Sequence, residues 1–511
     1  MIPLRVGEVA SVTGAEVQPG TTVPVDLDRW VTHVTADSRA VEAGSLFVAL
    51  VGERVDGHAY AAGALAQGAA AVLVAHLVPD APGPQLVVDD PLLALGQVAR
   101  RVVDRRKPHG LRVVGLTGSQ GKTSTKDLLG AVLATAGPTV APAGNLNNEL
   151  GVPLTVARVD AGSPSAGEGN VAGNVGGRSA SGQGTAFLVA EMGARGIGHI
   201  AYLCRIAPPD VAVVLNVGHA HVGEFGGREA IAQAKGELVE ALDASGTAVL
   251  NRDDPRVWAM RSRTPGRVLP FAVVEEGATP PAEPDLVWAD ALAGDDRGRY
   301  RFTLHARLAG AEGEASVTLR GTGRHHVANA TAAAAAALAL GLDLQAVADA
   351  LGAAEPASRW RMEVHERADG VTVVNDSYNA NPASMAAAVE TLAELGRGRG
   401  RTWAVLGDML ELGSEAPALH AALAAQVAAA GVDEVIALGE FAPALVKGQP
   451  GRARVAADGA QAAAWVRAEV AGGDVVLVKA SRGLALNLVA DEILRPPGDL
   501  PEPDHQPGSG S

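Results

Sequence analysis

The chain has 511 residues, which suggests about three domains, and 47% of them are hydrophobic, enough to fill their cores. A net charge of −15 argues against a broad nucleic-acid surface, and an aromatic content of only 3% argues against stacking platforms for single strands. One cysteine, Cys204, excludes an intrachain disulfide framework and suits a reducing compartment.

The opening stretch MIPLRVGEVASVTG lacks the long apolar core of a secretory signal. The longest apolar tract, residues 332–340, is half the length of a membrane span. A cytoplasmic chain without membrane insertion is therefore expected.

Residues 1–108 read as a small α/β unit. Apolar runs at 46–50, 71–74 and 86–88 predict buried strands, and the alanine-rich stretch 59–67 predicts a helix. The basic cluster 100–107, followed by Pro108, reads as a helix end and linker. Asp37-Ser38-Arg39 and Asp56-Gly57-His58 read as surface turns.

From 109 to 356 strand and helix signals alternate, which favours a largely parallel sheet with strands at 112–117, 187–190, 211–217 and 248–250. Residues 113–125, VVGLTGSQGKTST, are the most informative stretch of the chain. An apolar run stops at Gly118, Ser119, Gln120, Gly121, Lys122 and Thr123, and a helical pattern then runs from about Ser124 to Gly137-Pro138. Strand, glycine turn and helix N-terminus together cradle a triphosphate, because free backbone N–H groups and the positive end of the helix dipole face the phosphates. Lys122 would reach the terminal phosphates and the Thr123 hydroxyl would ligate Mg²⁺. Strict P-loop spacing asks for glycine at position 116, where this chain has leucine; the glycine stands at 118 instead.

Glu191 ends the apolar run FLVAE, at the carboxyl edge where ligands gather in open α/β sheets, and a carboxylate there suits Mg²⁺. A Gly/Ser/Ala/Asn-rich run at about 161–184 predicts a flexible surface insertion. His219 and His221 follow the next strand, but their spacing alone is weak evidence for a metal. Lys235 reads as an ordinary solvated helix lysine, and residues 285–319 read as an antiparallel appendage. Asn329 lies inside the alanine-rich helix opened by Gly323-Arg324-His325-His326, where its amide could read an adenine edge.

Residues 357–497 predict a second parallel α/β fold, with strands at 371–375, 402–406, 434–438 and 475–478, and 498–511 predict a disordered tail. Arg361 precedes the first of these strands and suits a phosphate. The polar run from Asn375 to Pro382 holds Asp376, Tyr378, Asn379 and Asn381, and it is also what an ordinary turn looks like. Lys479, Ser481 and Arg482 follow the last strand, again at a carboxyl edge.

Together these segments resemble the Mur ligase family, which adds amino acids to the cell-wall precursor; the resemblance covers about residues 30–490. It implies an α/β protein of three domains: a small N-terminal α/β domain (1–108), a central P-loop ATPase-like domain with a parallel sheet (109–356) and a C-terminal Rossmann-like domain (357–497). The family's phosphate loop reads GTxGKT or a close variant, which accounts for the shifted glycine. By the resemblance, Glu191 and His221 join Thr123 as Mg²⁺ ligands, and Lys235 matches a lysine whose carbamylation yields a further anionic oxygen ligand. The family motif GRHNVxNAxAA places Asn329 on the adenine side; here His326 replaces its asparagine. Arg361 and Asp376 match residues that contact the nucleotide's phosphate and ribose.

Ser38, Arg39, Asp56, Gly57 and His58 resemble a uridine-nucleotide site, and Asn145, Asn147 and Asn148 resemble the segment that holds the muramyl peptide. DSYNANPASM, with Tyr378, Asn379 and Asn381, and GDMLELG at 407–413 look like the dipeptide-adding branch. The Asp-Asn-Pro-Arg element of the diamino-acid-adding sibling is absent. That branch implies ATP and Mg²⁺ as cofactors and UDP-N-acetylmuramoyl-tripeptide and D-alanyl-D-alanine as partners. It also gives Lys479 and Ser481 substrate contacts, and a monomer is expected. The rival readings are the sibling enzyme and a catalytically inactive nucleotide-binding scaffold. A hinge near residues 355–360 is expected to close the site.

Overall fold

The computed structural model describes residues 1–52, 55–162, 184–218 and 227–496. His219 and His221, most of the predicted insertion and the predicted tail therefore lie outside the described residues.

The first unit is a five-stranded sheet, in the order Glu16–Gln18, Gln85–Val87, Ala71–Val74, Ser45–Val48 and His33–Thr35. All its pairings are parallel except that of Glu16–Gln18. The strands at 45 and 71 are buried at every position, as continuous apolar runs in a parallel sheet require. The predicted helix end at 100–107 belongs to a full helix, Pro91–Arg106. Asp90 caps it by accepting from the Leu92 and Leu93 amides, and Pro91 takes the first turn, where no N–H is needed. Its apolar face, with Leu95, Val98 and Val102, shares one core with Val152, Val156, Ile200 and Leu203. The helix joins the first unit to the second through that core, so the segment is no free linker.

The second unit is a nine-stranded sheet. Thr139–Val140, Phe187–Glu191, Arg112–Thr117, Val211–Val214, Thr247–Asn251, Arg267–Val273 and Leu286–Gly294 run parallel. Arg299–Leu308 and Ala311–Thr322 then add antiparallel strands. The stretch expected to form an appendage thus continues the same sheet: Phe271 to Val273 pair in parallel with Val287 to Ala289. The helix His325–Ala339 buries Ala332 to Ala337 completely and packs against the helix Lys122–Ala136. Alanine permits that close backbone approach, because each residue adds only one methyl group.

The third unit is a six-stranded sheet: Glu363–Glu366, Thr372–Asn375, Val475–Lys479, Thr402–Gly407, Glu434–Leu438 and Arg452–Val455. All pairings are parallel except that of Glu363–Glu366. Tyr300 joins it to the second unit by donating its hydroxyl to the Glu394 carboxylate at 2.9 Å. Among the described residues no helix is long and apolar enough to cross a membrane.

Candidate active site

The strand Arg112–Thr117 delivers the chain to the glycine turn, and the helix begins at Lys122. Gly121 adopts φ +78°, and a β-carbon there would lie 2.4 Å from the Asn329 amide oxygen; both facts demand glycine. Asn216, just beyond the neighbouring strand, braces the turn. Its Oδ1 accepts from the Ser119 and Gln120 amides at 3.0 and 2.9 Å, and its Nδ2 donates to the Gln120 carbonyl at 3.2 Å. Lys122 folds back so that Nζ donates to the Gly118 carbonyl at 2.8 Å. Thr123 is buried on the first turn of the helix.

Glu191 ends the adjacent strand and is buried. Its Oε1 accepts from Asn147 Nδ2 at 2.8 Å, while Oε2 is buried with no hydrogen-bond partner. An unpartnered anionic oxygen beside a phosphate loop suits a cation. Among the described residues no three His, Cys, Asp or Glu side chains converge on one point, so the carboxylate and the Thr123 hydroxyl are the described candidates for Mg²⁺. Burial pushes the Lys122 ammonium below its usual value; Glu191 opposes that shift and Arg361 adds to it. Lys235 is no solvated lysine. It lies on the face of the helix Arg228–Glu240 that packs on the sheet and is 5% exposed. Burial, aided by Lys122, pushes it well below its usual value, which favours the neutral amine.

Across the cleft stands the carboxyl edge of the third sheet. Lys479 is buried and pairs with Asp376 at 2.6 Å, and it also donates to the Asn379 carbonyl at 2.8 Å. Ser481 accepts from the Leu410 amide at 2.9 Å. Asn381 caps the helix Pro382–Gly396 in a reciprocal box with Ser384. Arg361 lies over the Tyr378 ring, 4.1 Å from its centroid.

These two edges enclose one cavity of about 760 Å³, a volume suited to a nucleotide-sized ligand. It gathers Ser119 to Ser124, Asn145, Asn147, Asn148, Glu191, Lys235, Asn329, Arg361, Asp376, Tyr378, Asn379, Asn381, Lys479 and Ser481. Gly118 stands behind it, reached through Lys122. Ser38, Arg39, Asp56, Gly57 and His58 do not line it. The Arg39 guanidinium binds Asp37 and holds that carboxyl at about 2. His58 is buried with both ring nitrogens engaged, by Asp56 at 2.6 Å and by the Ala75 amide at 2.9 Å, so it holds its turn together.

Sequence reasoning gave no role to Asn216, Arg195 or His199, which also line the cavity with Glu149 of the 145–153 loop. His199 and Glu149 lie 3.2 Å apart. For Asn216 a signal existed: an asparagine at the end of the strand adjacent to the loop.

Three family descriptions match this chain in order: the Mur ligase family catalytic domain at 31–102, the Mur ligase middle domain at 116–337 and the Mur ligase glutamate ligase domain at 360–482. The UDP-N-acetylmuramoyl-tripeptide–D-alanyl-D-alanine ligase of Mycobacterium tuberculosis is 41% identical over 97% of this chain and 98% of its own. The chain belongs to the Mur ligase family. Among solved structures, MurF from Acinetobacter baumannii superposes on this Mur ligase with a TM-score of 0.81 at 31% identity, covering 96% of this chain and 99% of that one. MurF ligase from Thermotoga maritima, solved in complex with ADP, gives 0.74 at 27% identity, covering 91% and 97%.

Proposed function

We propose that this Mur ligase joins D-alanyl-D-alanine to UDP-N-acetylmuramoyl-tripeptide, converting ATP to ADP and phosphate. The names of the relatives support that choice of substrates. The observation that carries it is the shared cleft: a phosphate loop, a carboxylate with one unpartnered oxygen and the polar run of the third sheet face one another. In this reading residues 1–108 hold the uridine nucleotide, 109–356 the ATP and 357–497 the dipeptide.

Amide formation from a carboxylate needs the acid activated. The tripeptide's terminal carboxylate attacks the γ-phosphorus, ADP leaves, and an acyl phosphate forms. The free amine of the dipeptide then attacks the acyl carbon and expels phosphate. The loop amides and Lys122 hold the phosphoryl group in line and stabilise its charge, and such positioning and electrostatics dominate phosphoryl transfer. Glu191 and Thr123 would hold Mg²⁺, with His221 outside the described residues, and the ion supplies charge neutralisation on the phosphoryl oxygens. The neutral amine favoured at Lys235 is the form that captures carbon dioxide, which supports carbamylation there. Closure of the third unit over the cleft would keep water from the acyl phosphate.

The test is phosphate release from ATP by the purified chain. It should require both UDP-muramyl-tripeptide and D-alanyl-D-alanine, and Lys122→Ala should abolish it. Equal release with the dipeptide omitted, or with a free diamino acid in its place, would reject the assignment.

A further inference from the structure

Arg361 enters the cleft at the end of the segment that joins the second and third units. Its Nε is buried with no hydrogen-bond partner, and it shares the cavity with Lys122, a like charge. A long, flexible cation beside another cation needs something to keep it there. The backbone supplies part of the constraint: Trp360 and Met362, on either side of it, have φ of +59° and +53°, a region that residues with a β-carbon seldom occupy.

The side chains supply the rest. The Arg361 guanidinium lies 4.1 Å from the Tyr378 ring centroid. Arg482 lies 4.2 Å from the Trp360 ring and 5.9 Å from Tyr378. The four alternate as aromatic, cation, aromatic, cation. The Tyr378 amide also donates to the Trp360 carbonyl at 3.1 Å, which ties the two aromatic residues together through the backbone. Trp360 and Arg361 belong to the joining segment, whereas Tyr378 and Arg482 follow strands of the third sheet.

We propose that Trp360 and Arg482 are positioning residues that act through Tyr378 to hold the Arg361 guanidinium in the cleft, ready for a nucleotide phosphate. The proposal rests on the reading of the cleft as an ATP site. Each aromatic face attracts the cation above it, and Tyr378 is shared by both. Neither Trp360 nor Arg482 needs to touch the nucleotide.

A double-mutant cycle on the full chain tests this, with calorimetric binding of a non-hydrolysable ATP analogue in the presence of Mg²⁺ as readout. Arg482→Gln and Trp360→Leu should each weaken binding roughly five- to tenfold. Trp360→Phe, which keeps a ring, should restore most of that loss. In an Arg361→Gln background the same changes should alter binding less than twofold, because the group they position is gone. Equal losses in both backgrounds would overturn the proposal alone. An unaltered chain that binds no analogue would overturn the nucleotide reading and the proposal with it. Arg482 is exposed, so its variant carries the cycle should Trp360→Leu fail to fold.

Discussion

Asn147 donates its side-chain amide to one oxygen of Glu191 at 2.8 Å and so fixes the carboxylate with its second oxygen unpartnered. The two residues come from separate segments and meet at the carboxyl edge of the central sheet. The hydrogen bond aims the acid, and the charge remains for a cation.

The pair separates two effects. Glu191→Gln keeps the shape and a partner for Asn147 but removes the charge, so phosphate release should fall at least 100-fold with little change in thermal midpoint. Asn147→Ala keeps the charge but frees the carboxylate to rotate, and a loss of about tenfold is expected. Comparing the Mg²⁺ dependence of both variants checks this: only Asn147→Ala should recover as Mg²⁺ is raised.

Asn216 makes a different kind of contribution. It satisfies the Ser119 and Gln120 amides from the side, which shapes the loop before any nucleotide arrives. Asn216→Ala removes both bonds; the Ser119 amide keeps the backbone carbonyl of residue 216 at 3.1 Å, whereas the Gln120 amide is left unpaired at about 1–3 kcal/mol. The expected outcome is a KM for ATP raised by tenfold or more with a smaller change in kcat. An unchanged KM would mean that the loop holds its shape without this brace.

Buried strands were legible because Val, Leu and Ala repeat without interruption: Arg112–Thr117 and Glu434–Leu438 appear at their predicted bounds. Arg267–Val273 was missed because Pro270 interrupts it. The proline is tolerated because pairing with the Leu286 strand begins only at Phe271, so at Pro270 the strand has a neighbour on one side alone. Thr139–Val140 and Arg452–Val455 are short, partly exposed edge strands with no apolar pattern to read. In the site, the phosphate loop was legible because its chemistry needs particular residue types at fixed spacing. Lys235 stood out only through the family resemblance; read from the residues alone it was a solvated helix lysine, whereas it is buried. Asp376 and Lys479 were both singled out, but 103 residues separate them, and only folding makes them a pair.

His325 and His326 lie against each other at the start of the alanine-rich helix, their ring centroids 4.4 Å apart and their planes tilted by 37°. Burial holds them at about 4 and about 3, below the usual 6.5, with Lys479 adding to the shift of His325 and His325 to that of His326. Both are neutral in the folded chain at neutral pH. Between pH 6.5 and about 4 the unfolded chain therefore binds more protons than the folded one, so their contribution to stability is present above 6.5 and is lost as pH falls through that window. The urea midpoint should drop between pH 7.5 and pH 5, and His326→Asn should drop less than the unaltered chain. Parallel curves for the two would show that His326 titrates normally.

The joining segment is latched to the phosphate-loop helix. Ser358 donates its hydroxyl to Asp127 Oδ2 at 2.5 Å, and the other oxygen of Asp127 pairs with the buried Lys126, also at 2.5 Å. Lys126 in turn donates to the Pro142 and Gly144 carbonyls, so the latch is anchored on both sides of the helix. The Ser358 contact is present in the arrangement in which both edges line one cavity, so opening about residues 355–360, the expected hinge, would break it. Ser358→Ala removes one hydrogen bond, worth about 1 kcal/mol, and leaves Asp127 paired, so it should favour the open arrangement without unfolding the chain. Asp127→Ala instead strands a buried ammonium and should cost about 3–5 kcal/mol of stability. Small-angle scattering checks the first expectation: without nucleotide, Ser358→Ala should have the larger radius of gyration, and saturating ATP analogue with UDP-muramyl-tripeptide should bring both chains to the same compact value. A radius that does not respond to ligand in either chain would mean that this segment is not the hinge.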